Sequence, residues 1–129
     1  MIQARKLNWP SLSENYAIWT TTTTINISSS PYTITRLEIP KQGKYAFQGV
    51  VGGTSPSDTD YAMINVLKNN ASIFQAVSSV IARGNVPRYD VPFYTVCDCR
   101  AGDLVEFVLS APTNSGIRSG TSISATLLY

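Results

Sequence analysis

The sequence predicts an all-β protein, an antiparallel β-sandwich or jelly roll of about eight strands, and three observations support this class. Segments rich in β-branched and aromatic residues recur along the chain, and clusters of Gly, Pro, Asn, Asp and Ser separate them. The chain shows neither an internal repeat nor a linker. Its 129 residues suit a single domain that buries a core without metal ions or disulfides.

In the first half of the chain the pattern predicts four strands. They are residues Tyr16–Ser28, Tyr32–Ile39, Lys44–Val51 and Tyr61–Asn70. In the third of these, Tyr45, Phe47 and Val51 share one face, which predicts that they lie in the core. The run GGTSPSDTD, residues 52–60, is predicted to be a turn, and Asn69–Asn70 is predicted to close the fourth strand, because asparagine tolerates left-handed turn conformations.

Residues 71–83, ASIFQAVSSVIAR, are ambiguous. Ile73, Val77 and Val80 lie near helical spacing, whereas Ile73, Gln75 and Val77 fit a strand. We predict a strand because no helix is expected elsewhere, and a helix is the alternative. The following RGNVPRYDVP, residues 83–92, is predicted to be a loop.

Three further strands complete the set, and they are residues Tyr94–Arg100, Asp103–Ser110 and Thr121–Tyr129. A tight turn at Gly102 precedes the second of them, and Asp103 is expected to cap that turn. Val105, Phe107 and Leu109 are then predicted to face the core. Val108 lies on the opposite face, which favours a sheet that packs on another subunit. The segment PTNSGIRSG, residues 112–120, is predicted to be the last long turn.

Composition and charge exclude several functions. Charged residues make up 14% of the chain, below the roughly 25% usual for soluble domains, and a neutral surface favours self-association. The net charge is +2 without a basic run, so we expect no nucleic-acid partner. No apolar run is long enough to span a membrane. The N-terminus lacks the apolar region of a signal peptide, which predicts synthesis in a cytoplasm.

Catalysis and cofactor binding are not expected. The chain has no histidine, so the commonest general base is missing. The close carboxylate pairs are Asp58 with Asp60 and Asp103 with Glu106. Asp58 and Asp60 fit turn chemistry, because they supply too few of the oxygens that calcium needs. A weak Ca²⁺ site is the alternative. We predict no cofactor and no enzyme activity.

The two cysteines, Cys97 and Cys99, are separated by one residue in TVCDC. On a strand their side chains point to the same face, and a bond between them would be severely strained. A metal centre would need more ligands than the chain offers. We predict two buried free thiols, with a disulfide or metal shared between subunits as the alternative.

Two segments are candidate binding regions. We predict that residues 1–15 form a polar N-terminal arm ahead of a single domain at residues 16–129, with an extra strand or a frayed terminus as the alternative; Arg5, Lys6 and Trp9 are its candidate docking residues, because Arg and Trp are favoured at interfaces. Arg88, Tyr89 and Phe93 form a candidate ligand loop, with packing at the edge of the core as the alternative. The threonine run at residues 20–24 is predicted to be an exposed strand.

Four motifs in order resemble the jelly roll of the complement globular-head and tumour necrosis factor (TNF) superfamily. They are GKYAF (Gly43–Phe47), INVLKNN (Ile64–Asn70), CRAGDLVEF (Cys99–Phe107) and SISATLLY (Ser122–Tyr129). Each motif alone is weak, but their order and spacing hold over roughly residues 34–129. The chain departs from the family at Asn70, where glycine is usual, and we expect neither a collagen-like stalk nor a membrane anchor.

The resemblance implies an antiparallel jelly-roll sandwich of eight to ten strands, a compact homotrimer, and core-facing positions for Cys97 and Cys99. Together with synthesis in a cytoplasm, it leads us to expect a non-enzymatic phage or virus structural protein in the virion. This would be a capsid-decoration or head-fibre component that docks on capsid or other virion proteins. The alternative is a module at a tail or spike tip that binds a receptor or a host-surface glycan. This last step is an analogy from fold.

Overall fold

The computed structural model describes residues 16–56, 61–83 and 86–129, and within these ranges the chain contains strands and no helix. The eleven strands are β1 (Tyr16–Thr20), β2 (Ile25–Asn26), β3 (Tyr32–Glu38), β4 (Gly43–Thr54), β5 (Tyr61–Lys68), β6 (Ala71–Ser79), β7 (Ile81–Arg83), β8 (Val86–Cys99), β9 (Leu104–Ser110), β10 (Gly116–Ile117) and β11 (Ser122–Leu127). The predicted all-β class is therefore confirmed. Among the described residues no helix exists that is long and apolar enough to cross a membrane.

The strands form two antiparallel sheets. In the larger sheet β4 is central, because β8 pairs with its whole length on one edge while β11 and β10 share the other edge. β1, β2 and β7 extend this sheet by pairing with β11, β10 and β8, respectively. The smaller sheet has the order β3, β9, β5, β6. The chain crosses between the sheets several times, so most strand pairings join distant segments, and β5–β6 and β7–β8 are pairings between consecutive strands.

The core lies between the two sheets and is centred on aromatic rings. Phe107 from the smaller sheet meets Phe47 edge-on, with ring centroids 5.8 Å apart, and meets Phe93 at 6.0 Å. Tyr45 stacks beside Phe47 at 6.2 Å. Edge-to-face and offset contacts at these distances add to the stabilisation from burial alone. As predicted, Tyr45, Phe47 and Val51 all face this core.

The region around Gly102 follows the sequence prediction closely. Gly102 has a φ of +90°, and Val105, Phe107 and Leu109 of β9 are all buried. An oxygen of Asp103 accepts a hydrogen bond from the backbone N–H of Arg100 at 2.8 Å, so the predicted cap is confirmed. The left-handed turn of asparagines is confirmed as well, since Asn69 and Asn70 have φ values of 52° and 69°.

The ambiguous residues 71–83 are confirmed as strand, but they form two strands rather than one. β6 pairs with β5 in the smaller sheet, whereas β7 pairs with β8 in the larger sheet. The buried Val80 separates β6 from β7. The chain therefore crosses from one sheet to the other at this point.

The prediction of one continuous strand over residues 16–28 is wrong, and so is the exposed strand predicted at residues 20–24. The chain turns after β1, because the buried Thr21 hydroxyl donates to the carbonyl of Thr23 at 2.7 Å and also accepts from its N–H. Such local side-chain bonds compete with strand pairing. A threonine-rich run therefore contains a turn despite its strong strand propensity.

Two predicted loops are strand in part, and residues 57–60 of the first lie outside the described part of the chain. β4 continues through Gly52 and Gly53 to Thr54, and β8 begins at Val86, so residues 86–92 are not a loop. β8 accommodates Pro92 because β7 pairs only with its first three residues, which leaves that edge unpaired by described strands at Pro92. A proline nitrogen that faces an unpaired edge costs the ladder no hydrogen bond.

The predicted long turn at residues 112–120 contains a short strand. β10 has two residues, and it joins β4 to β2 with Ile117 fully buried. Two residues are too few to show a hydrophobic period in the sequence, so this strand depends on its pairing with β4 and β2.

Candidate functional site

The candidate functional site is the outer face of the larger sheet, where β4, β8 and β11 direct alternate side chains away from the core. We call its central part the neutral face. Its members are Ala46, Gln48, Val50, Pro92, Tyr94, Val96, Ser124 and Thr126. Val50, Tyr94 and Val96 are 40%, 55% and 41% exposed. A strand with apolar residues on both faces normally has both faces covered.

Ion pairs bound the neutral face at both ends of the sheet. At one end the Lys44 ammonium lies 3.8 Å from a carboxylate oxygen of Asp98. At the other end Arg118 pairs with Asp90. The band between these pairs carries no charged residue. A neutral centre containing a tyrosine and rimmed by charges is the usual anatomy of a protein–protein interface.

The outer face of the smaller sheet fits an interface less well. Tyr61 and Val77 are exposed there, but the Arg36–Glu106 ion pair, at 3.8 Å, lies between β3 and β9 on the same sheet. Val108 is only 9% exposed, because it lies between neighbouring strands of its own sheet, opposite Thr33 and Asn65. The inference that Val108 marks a subunit contact is therefore wrong, since residues of the same chain already cover it.

The structure separates the members of the candidate ligand loop. Arg88, Tyr89 and Phe93 lie on β8, and only Arg88 is exposed. Tyr89 and Phe93 are 2% and 6% exposed, which agrees with the alternative of core packing. The Tyr89 hydroxyl donates to the carbonyl of Gly116 at 2.9 Å, and burial raises the pKa of this phenol above its usual range.

Several candidate residues lie outside the described part of the chain. These are the arm residues Arg5, Lys6 and Trp9 and the weak calcium candidates Asp58 and Asp60. Among the residues that are described, no group of three or more Cys, Asp or Glu side chains could hold a metal ion.

A cavity of about 740 Å³ opens at the end of the sandwich that carries Lys44 and Asp98. Four of its five charged side chains, those of Lys44, Lys68, Asp98 and Asp103, already have partners within the chain. The Lys68 ammonium donates to the carbonyl of Asp98 at 3.0 Å, and Asp103 accepts from the side-chain amide of Asn69 at 3.0 Å. The Arg100 backbone bond and the Asn69 bond lower the pKa of Asp103 below its ordinary value. The charged groups around this cavity stabilise the neighbouring turns more clearly than they form a ligand site.

Both cysteines are free, and their side chains pack against the core. Cys99 is 2% exposed and Cys97 is half-buried. Burial and the neighbouring Cys97 raise the pKa of the Cys99 thiol to about 12, which keeps it protonated near neutral pH. The prediction of small buried hydrophobic side chains is confirmed for Cys99 and holds in part for Cys97.

Comparison with solved structures defines the fold. Eiger TNF from S. frugiperda matches with a TM-score of 0.70 over 88% of this chain and 92% of that chain, at 11% identity. The chain has a TNF-like jelly-roll fold. Murine APRIL at pH 5.0 and at pH 8.0 matches with TM-scores of 0.59 and 0.56, at 15% and 14% identity. Each match covers 72% of this chain, and 72% and 69% of the respective APRIL chains.

These likenesses are too distant in sequence to establish more than the TNF-like fold. No protein-family model and no curated protein sequence matches the chain. The resemblance drawn from four short motifs is thus confirmed at the level of fold.

The neutral face was not predicted from the sequence, although a signal for it is present. In the segment FYTV, Tyr94 and Val96 alternate with the core-facing Phe93 and Thr95, so both faces of this strand carry apolar side chains. The predicted strand that begins at Tyr94 contains this alternation, but the register that places it beside β4 is a property of the fold.

Proposed function

We propose that this TNF-like domain is a non-enzymatic structural protein that assembles as a homotrimer through its neutral face. The observation that carries the proposal is the exposure of Val50, Tyr94 and Val96 in a band without charges, bounded by ion pairs. When a second copy covers exposed apolar surface of this kind, its removal from water stabilises the assembly. The number of copies, three, is inferred from the family resemblance.

We further propose that the trimer is a virion component, a capsid-decoration or head-fibre protein that docks on a larger particle. The support is the combination of a self-associating domain with a polar segment ahead of β1 that contains Arg5, Lys6 and Trp9. Arg and Trp are frequent anchors in interfaces. The second candidate function is a receptor- or glycan-binding module at a tail or spike tip, for which Arg88 supplies an exposed polar contact on the larger sheet.

Replacing Tyr94 with glutamate is expected to convert the assembly into monomers. A carboxylate buried at the interface without a partner costs about 3 kcal/mol or more per subunit, which weakens assembly more than a hundredfold. Light scattering at several concentrations measures the mass, and we expect three times 14.0 kDa for the natural sequence and a monomer for Tyr94→Glu.

The matched control is Val77→Glu, which introduces the same charge at an exposed apolar residue on the smaller sheet. It should leave the mass unchanged. If the natural chain is monomeric at all concentrations, the homotrimer is refuted. If only Val77→Glu dissociates the assembly, the interface lies on the smaller sheet instead.

The two candidate functions differ in the part of the chain that binds. A variant without residues 1–10 should lose co-sedimentation with capsids if the N-terminal segment is a docking arm. The same variant should keep glycan-array binding if the module recognises glycans through the sandwich. Retained capsid binding would contradict the docking arm.

A further inference from the structure

A second, smaller cavity lies beside the neutral face, at the Arg118–Asp90 end of the larger sheet. Its volume is about 390 Å³, and its lining residues are Gly53, Thr54, Arg88, Asp90 and Arg118. These residues come from the ends of β4 and β8 and from the segment after β10. The core does not use this cavity, and the assembly proposal uses only its Arg118–Asp90 ion pair, as one boundary of the neutral face.

The charges of the cavity do not balance. Two guanidinium groups, those of Arg88 and Arg118, face one carboxylate, that of Asp90. Asp90 is already paired with Arg118. Within the described residues Arg88 has no ion-pair partner, so the cavity keeps a net positive charge with unused N–H donors.

The backbone holds the cavity in place. The N–H of Arg118 donates to the carbonyl of Gly52 at 2.8 Å, which fixes Arg118 against β4. Arg88 stands opposite Thr54 in the β4–β8 ladder, and Asp90 stands opposite Gly52. A site whose groups are positioned by a sheet loses less entropy when a ligand binds.

Glycine at position 52 is needed for this arrangement. A Cβ atom there would overlap both the guanidinium of Arg118 and the carboxylate of Asp90, so the ion pair lies directly over the bare backbone. Gly52, which suggested a turn in the sequence, therefore makes space for two side chains on the outer face of the sheet.

We propose that this cavity binds a small oxyanion, a carboxylate or phosphate group, between Arg88 and Arg118, with the hydroxyl of Thr54 as a further donor. Planar guanidinium groups match the oxygens of both anions and form charge-assisted hydrogen bonds with them. Asp90 orients Arg118 and also limits the affinity by leaving only one excess positive charge. The site is built from one chain, so it does not rest on the proposed trimer.

The test is a titration of the full-length protein with inorganic phosphate at constant ionic strength, followed through the amide NMR signals of Gly53 and Thr54. A parallel titration with acetate separates phosphate binding from carboxylate binding. We expect saturable shifts, and we expect Arg88→Gln to weaken the affinity about tenfold, since it removes one charged hydrogen bond. The control Arg100→Gln removes the same charge beside the other cavity and should leave the affinity unchanged.

Three outcomes overturn the proposal. One is an absence of saturable shifts with either anion, and another is equal weakening by Arg88→Gln and Arg100→Gln, which would show general charge attraction. The third is tighter phosphate binding by Asp58→Asn/Asp60→Asn, which would mean that a carboxylate of the chain itself occupies the site. NMR shifts report on this cavity and light scattering on mass, so failure of the trimer and failure of the anion site are distinguishable.

Discussion

Replacing Phe107 with alanine is expected to lower the free energy of unfolding by about 3–5 kcal/mol. Phe107 is 1% exposed, and it is the smaller sheet's contribution to the aromatic cluster with Phe47 and Phe93. Replacing the phenyl ring with a methyl group loses both apolar burial and the ring contacts that join the two sheets. A domain of this size is stabilised by roughly 5–15 kcal/mol, so this single change removes a large part of the total.

Urea denaturation followed by circular dichroism measures this loss, provided that the slope of the transition is the same in both proteins. Phe107→Leu should lose less, because it keeps most of the buried volume. Val77→Ala is the surface control, since Val77 is 61% exposed and such changes usually stay within about 0.5 kcal/mol. If Phe107→Ala cost no more than this control, the two sheets would not be joined through the aromatic cluster.

Replacing Gly53 with alanine is expected to destabilise the protein by about 3 kcal/mol, although it adds only one methyl group. A Cβ atom at Gly53 would overlap the carbonyl oxygen of Gly116 on β10, and that oxygen belongs to the backbone. The strain can be relieved only by moving β10 away from β4, which would expose Ile117.

The matched control is Gly120→Ala. Gly120 has a φ of +88°, but a Cβ atom there would meet nothing within 4 Å. Its cost is the left-handed conformation alone, about 1 kcal/mol. Thermal and urea denaturation should therefore rank Gly53→Ala as the more damaging change. The opposite ranking would contradict the close approach of β10 to β4.

Long strands with clear alternation could be predicted from the sequence. β5 alternates between buried and less buried residues, as do the central residues of β4 and the first four residues of β9, and this pattern follows from which sheet face meets the core. The turns at Asn69–Asn70 and Gly102 were predicted as well, because the conformations that they need restrict the choice of residue.

The elements that were missed depend on partners far away in the sequence. β10 consists of two residues and forms only because β4 and β2 lie on either side of it. β8 starts eight residues earlier than expected, since the pairing with β4 and β7 outweighs the local preference of proline for turns. Single-sequence patterns carry no information about such pairings.

The candidate site was predictable only in part. The low charged fraction indicated self-association, but it could not locate the surface. The neutral face depends on the register that places Gln48 beside Tyr94 and Ala46 beside Val96. The cavity at Arg88 and Arg118 joins residues that are far apart in the chain, so no spacing in the sequence could reveal it.

The pairing of β1 with β11 affects how the protein folds during synthesis. The hydroxyl of Thr20 donates to the carbonyl of Thr121, 101 residues further along the chain, and β11 also completes one edge of β4. While β11 is still inside the ribosome, β1 lacks its partner and much of that edge of β4 is unpaired. Unpaired strand edges promote aggregation of nascent chains. The larger sheet, and with it the face proposed for assembly, therefore completes only after β11 has left the ribosome.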